Sequence, residues 1–461
     1  MSSVDLSIPP SHVPARSFLR WICTSNPFYV ISAGLFLFGL RVSFVRPNDE
    51  TDSWALMIGL AGYTVLLAVA ALVLVRFAGV WNDVRTILLL VVLMFLATSV
   101  TFDELLVLNP HRGTLFYLVG FAFAVALTEG LLRTIRLRLQ ALFRVPYYLT
   151  LALFFLYPIA LVPLVGNPHS EILMWGLWGF SPVAGLIFLT LIPAIRRGPS
   201  YVRDNGSPWP WPYFPWSVFV FLAVAVCGRA FLLCWSFHLL PSNSGQLIFG
   251  LYFLIPFGLA LAVLLLELGL ISASRTTQWI ALIAPLVLAV LTGLVQRDDP
   301  IYREFLGFFT SRLGGSPLFL SCIVAAWFYI YAWMRRVSVA PECLTAVLLA
   351  LTIIGPDTHK LRAAIEPQPV PLVAAVLLQM WLGLWRRDAR RLVFCTLIVA
   401  GGLGSVVVHW YRSLREQIPG LDFLVLGLVL LPIAVIVSLG KAGILSRWVA
   451  AWKRRIPSST E

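Results

Sequence analysis

About fourteen stretches of this chain are apolar for long enough to cross a bilayer, and no other feature restricts the fold as much. A hydrocarbon core of about 30 Å takes roughly 20 predominantly apolar residues in a helix. Lipid offers no partner to a bare N–H or C=O, so each crossing segment must satisfy its own backbone, as an α-helix does. The expected spans are 28–44, 54–76, 84–103, 113–131, 147–166, 171–195, 213–237, 246–271, 277–295, 316–334, 338–356, 370–385, 391–411 and 421–440. The fold class is therefore an all-α integral membrane protein, a polytopic bundle of about 14 transmembrane helices.

Charge sets the expected topology. Charged residues are only 12% of the chain, about half the roughly 25% of soluble domains. The net charge of +13 raises nucleic acid as a partner, but the cations fall in short loops between apolar runs, which excludes it. With the N-terminus inside, 23 of the 34 Lys and Arg fall in inner segments and nine in outer ones, leaving Arg41 and Arg229 within spans. That alternation follows the positive-inside rule and puts both termini in the cytoplasm of a bacterial-type inner membrane. The anionic inner leaflet is then the lipid partner.

The expected organisation is a cytoplasmic tail (1–27), a transmembrane domain (28–440) and a basic amphipathic tail (441–461). The tail at 1–27 lacks the small-residue cleavage site of a secretory signal. The transmembrane domain divides by count into halves 28–237 and 246–440, though no motif repeats between them. In the last tail Ile444, Leu445, Trp448 and Trp452 share one helical face, as in a helix lying on the inner leaflet. The connection 296–315 reads similarly as a short surface helix. Four spans are preceded by a cap and a proline: Asn26-Pro27, Asn109-Pro110, Asn167-Pro168 and Ser316-Pro317. The Asn or Ser side chain accepts from a free N–H, and proline at the first position has no N–H to orphan.

Arg229 is the first candidate for chemistry. It lies deep in the seventh expected span, where an arginine costs roughly 2.5–3.5 kcal/mol and needs a partner or water. Asp103, Glu104, Glu171 and Asp357 are the carboxylates expected near its end. Glu129 and Glu267 fall toward the inner ends of their spans, where Arg133 and Arg275 are the neighbours in sequence. Unpaired, these groups would line a substrate or ion pathway; paired, they brace helices. Five of the six histidines fall on or near the outer face, and His111, His169 and His238 with Glu171 form a candidate outer cluster. The segment Pro208-Trp209-Pro210-Trp211-Pro212 reads as a stiff interfacial anchor. The six cysteines show no metal-ligand spacing, and neither a metal nor a cofactor is expected.

The acids Asp49-Glu50-Thr51-Asp52 of the first outer loop, with Asp103-Glu104, are similar to the outer carboxylates of lipid-linked glycosyltransferases. The loop is about nine residues long, without the large soluble domain of that class. No P-loop, HExxH, GxSxG or Rossmann fingerprint is present, which excludes a nucleotide-driven motor. The leading expectation is a secondary transporter or permease for a small-molecule or lipid-linked substrate. The alternatives are a membrane-embedded transferase acting on a lipid-linked substrate at the outer face, and a non-catalytic subunit of a membrane complex.

Overall fold

The computed structural model describes residues 27–401 apart from 45–52, 166–170, 204, 210–212, 239–250, 295–306, 308–309, 355–368, 388–390, 394 and 398. Every regular element among the described residues is helical. The helices are α1 (Phe28–Phe44), α2 (Ser53–Val73), α3 (Trp81–Thr101), α4 (Asp103–Leu108), α5 (Pro110–Thr134), α6 (Ala141–Val165) and α7 (Glu171–Leu189). They continue as α8 (Ile192–Arg197), α9 (Tyr213–His238), α10 (Ile255–Ile271), α11 (Arg275–Leu294), α12 (Pro317–Met334), α13 (Ala340–Ile353) and α14 (Pro369–Arg386).

Among the described residues, nine helical stretches are long and apolar enough to cross a membrane. They fall at the second to tenth of the fourteen expected spans. At the first, eleventh, twelfth and thirteenth stand shorter apolar helices, Phe28–Phe44, Ala340–Ile353, Val370–Arg386 and Arg391–Gly401. The fourteenth, the tails at 1–26 and 441–461, the acidic loop 49–52, residues 296–306 and Asp357 lie outside the described residues. Only 28% to 50% of each spanning window is buried, and what faces outward includes Leu66, Leu118, Leu186 and Val224. Such continuous apolar surface suits lipid and would be a liability in water.

By contacts the chain falls into two units, Met1–Leu372 and Val373–Glu461. In the second, Arg391 donates to Gln379 Oε1 at 3.3 Å and Cys395 donates to the Val376 carbonyl at 3.7 Å, tying helix 391–401 to α14. The candidate site is built in the first unit.

Local sequence places the bends that matter there. Thr98, Ser99 and Thr101 turn their hydroxyls back onto carbonyls three or four residues earlier, at 2.7–2.8 Å. Such back-bonding competes with the helix ladder, and the helix breaks directly afterwards at Phe102 (φ −100°, ψ 8°). Asp103 therefore heads a new short helix. Asn109 caps α5 by accepting from Arg112 N at 3.2 Å, and Ser316 caps α12 by accepting from Phe319 N at 3.3 Å. The caps at Asn26 and Asn167 lie outside the described residues. At Gly113 a Cβ would come within 2.3 Å of Leu106 Cα, so only glycine lets α5 start this close to α4. Close approach of small residues drives helix pairing where lipid is as apolar as leucine. Gly185, which sets α7 against Pro256 and Ala260 of α10, is another case.

Candidate functional site

Three carboxylates inside the helical bundle gather the arginines. Asp103 is the most enclosed. Arg229 grips it with both terminal nitrogens, the NH2–Oδ1 bond measuring 2.8 Å, and the side chains are 0% (Arg229) and 3% (Asp103) exposed. Tyr117, on α5, lies with its hydroxyl 2.5 Å from Asp103 Oδ1 and 2.5 Å from the Ser99 carbonyl, and accepts from Arg229 at 3.1 Å. Ser236, two turns beyond Arg229 on α9, donates to Oδ2 at 3.3 Å. One carboxylate thus ties α4, α5 and α9 together, and its charge is matched one to one. Among the described residues only Arg229 Nε in this group lacks an acceptor. The neighbouring Glu104 is exposed.

Glu267 forms the second node, a helix length away. The chain direction shows the separation. Trp81 at the start of α3 stacks edge-on against Trp209 at 5.5 Å, while Asp103 follows the far end of α3, roughly 30 Å on. Glu267 lies in the last turns of α10, near the end where Ile271 meets Gly198. Its side chain is fully buried. Arg196 of α8 donates to both its oxygens, at 3.2 and 3.1 Å. Arg335, just past α12, approaches Oε1 to 2.7 Å and Oε2 to 3.0 Å, and Tyr331 donates as well. The expected neighbour Arg275 is not a partner. A turn at Ser272–Ser274 carries it onto the next helix, where it is exposed, and the fold supplies Arg196 and Arg335 from far along the chain instead.

Glu129 is the third node. Arg144 and Tyr148 of α6 donate to it, and Arg133, one turn on, stands at 3.8 Å. It opens onto a cavity. A basin of about 790 Å³ is lined by Arg133, Arg136, Arg138, Arg144 and Arg203, with Glu129 the one acid among the described lining residues. The floor is a pair of interlocked turns. Arg136 adopts a left-handed φ of 57° as α5 ends, and Arg138 N donates to the Asn205 carbonyl at 2.7 Å. Asn205 Oδ1 in turn accepts from Ser207 N and Oγ, both at 2.7 Å. Gly206 (φ 81°) presses so close that a Cβ would lie 2.3 Å from the Arg136 carbonyl oxygen. The arginines are thus presented from a fixed backbone. Arg136, Arg138 and Arg203 are exposed and make no side-chain ion pair among the described residues.

The structure distributes the sequence candidates unequally. It joins Arg229 to Asp103, sets Glu129 on the wall of the basin and buries Glu267 in its own node. His111 is exposed in the first turn of α5, and His169 lies outside the described residues. Glu171 opens α7 and His238 closes α9. Among the described residues no three His, Cys, Asp or Glu stand close enough to hold a metal ion. The sequence does not announce the basin: its arginines read as topology signals, and Arg133 also as the neighbour of Glu129. A finer signal was present in Arg136-Leu137-Arg138-Leu139, where charge and apolar residues alternate in an otherwise helical chain. No protein-family model matches the chain, and comparison with curated proteins and with solved structures likewise returns no match.

Proposed function

We propose that this protein is a permease-like membrane protein that recognises an anionic substrate at its arginine-rich end. The observation that carries this reading is the basin, in which, among the described residues, five arginines face one glutamate. Its volume lies in the range of about 300–1,000 Å³ common to small-molecule sites. Guanidinium groups suit phosphate and carboxylate because their planar fork matches two oxygens at once. The positive-inside rule assigns this end to the cytoplasm, with both termini on the same side and fourteen spans in all. The buried node at Asp103 fits a brace better than a pathway, because both of its charged groups are enclosed and matched. For the same reason Asp103 is poorly placed to act as the acid or base of an outer-face transferase.

The test begins with the full chain in an uncharged detergent, titrated with inorganic phosphate and with pyrophosphate. Saturable binding that weakens at least tenfold in Arg138→Gln/Arg203→Gln is the expected result, and no saturable binding of either anion overturns the reading. Flux is tested separately in proteoliposomes loaded with the anion that binds. Binding without protein-dependent flux would leave a receptor-like site and remove the permease.

A further inference from the structure

The basin shares a wall with an apolar cleft. Leu132, Leu137 and Leu139 line both. The cleft is narrow, about 70 Å³, and runs between α3, the end of α5 and the start of α9. Leu88, Val92, Leu131, Val218 and Phe219 line it, with Trp209 beside them and the exposed Arg85 at its rim. The polar atoms that reach it are largely engaged: Thr128 donates to the Ala124 carbonyl at 2.7 Å and stands 3.3 Å from the Tyr147 hydroxyl. The join comes from one short non-helical segment, 136–139. Along it Arg136 and Arg138 are exposed, while Leu137 is buried and Leu139 half-buried.

Resting on the anion reading above, we propose that basin and cleft form one site for an anionic amphiphile. Its phosphate-bearing head sits among the arginines and the first few methylenes of one hydrocarbon chain enter the cleft. A free inorganic anion would use the basin and leave the cleft idle. A neutral lipid would use the cleft and leave the guanidinium groups without a counter-charge. Only a molecule with both parts complements both walls. Two sources share the head chemistry, a membrane phospholipid and soluble phosphate, and binding distinguishes them.

The experiment uses the full chain in an uncharged detergent and compares dioleoyl phosphatidate, dihexanoyl phosphatidate, dioleoyl phosphatidylcholine and inorganic phosphate. Each methylene drawn into an apolar site adds about fourfold in affinity. Dihexanoyl phosphatidate, whose chain is already long enough to fill the cleft, is therefore expected to bind saturably and at least tenfold more tightly than inorganic phosphate. Phosphatidylcholine, with its zwitterionic head, should bind at least tenfold more weakly than dioleoyl phosphatidate. Ser217→Trp, which fills the cleft, should cost the long-chain lipid at least tenfold and leave inorganic phosphate unchanged. The comparison of dihexanoyl phosphatidate with inorganic phosphate on the unaltered protein decides the matter if that variant does not fold. Equal affinity for dihexanoyl phosphatidate and inorganic phosphate overturns the amphiphile and leaves the anion reading standing. Equal affinity for phosphatidylcholine overturns the assignment of the head to the arginines. If nothing binds saturably, the anion reading fails first and this inference with it.

Discussion

The two ends of the bundle treat arginine in opposite ways. At one end Arg229 is wholly enclosed and meets one carboxylate and one phenol, the carboxylate placed by the helix break that follows Thr98, Ser99 and Thr101. At the other, Arg136, Arg138 and Arg203 stand exposed around a basin with Glu129 the one acid among its described residues. Glu267 lies between these extremes, fully buried yet shared by Arg196 and Arg335, whose side chains are 47% and 34% exposed. The difference teaches a rule for charge near lipid. Where acids match arginines and water is excluded, the charges hold helices together. Where arginines outnumber acids on a fixed, open backbone, their charge is left for something else to neutralise.

The enclosed pair gives the largest expected effect. Removing one partner of a buried ion pair leaves the other uncompensated and costs about 3–5 kcal/mol. Asp103→Leu and Arg229→Met should each lower the thermal midpoint and the folded yield sharply. The double variant should recover most of the loss, because an apolar pair of similar volume leaves no bare charge. Thermal unfolding of the three proteins in one detergent measures this. A double variant as unstable as the worse single one would mean that Tyr117 and Ser236 depend on the pair for more than charge balance.

Gly206→Ala should come next, and it links stability to the basin. Any Cβ there collides with backbone, the Arg136 carbonyl, which cannot swing aside as a side-chain tip can. Overpacking of this kind costs about 1–3 kcal/mol. The turn around Arg136 must shift, so anion binding should weaken even though no arginine has changed. Undiminished binding in a destabilised Gly206→Ala protein would show that the interlocked turns do not set the basin. Glu267→Gln should cost about 1–3 kcal/mol, the range for a disrupted buried hydrogen bond. Its two arginines can turn toward water, so its cost should stay below that of Arg229→Met when the thermal midpoints are compared.

Much of the helical architecture was legible because its physics is local. Apolar length marks a span, and Asn109-Pro110 and Ser316-Pro317 mark helix starts through groups three residues away. Arg229 announced its need for a partner by depth alone, and Asp103 was among four acids near enough to meet it. The choice among those four depended on the break at Phe102, which sequence reasoning took as an ordinary span end. Glu267 shows the limit more plainly. Arg275 is its neighbour in sequence, but Arg196 and Arg335 reach it through the packing of α8, α10 and α12, and no short-range pattern encodes that meeting. The basin was hidden for a different reason. Its arginines satisfy the positive-inside rule, and that sufficient explanation covered the alternation at 136–139.

Arg203→Gln should have the smallest effect on stability and is the sharpest test of the comparison. Its side chain is exposed and makes no ion pair among the described residues, so the change should stay within about 0.5 kcal/mol, as for ordinary surface substitutions. If the arginine-rich end served topology alone, anion binding would be equally indifferent. A recognition site predicts a split, with the thermal midpoint unchanged and affinity for phosphate reduced several-fold. Arg112→Gln, an exposed arginine beside the cap of α5 at the opposite end of the bundle, supplies the control: it removes the same charge from the chain and should leave affinity where it was. If both substitutions weaken binding alike, the anion responds to net charge and the basin is not a site. If only Arg203→Gln does, the position of the charge matters, which a topology signal has no reason to require.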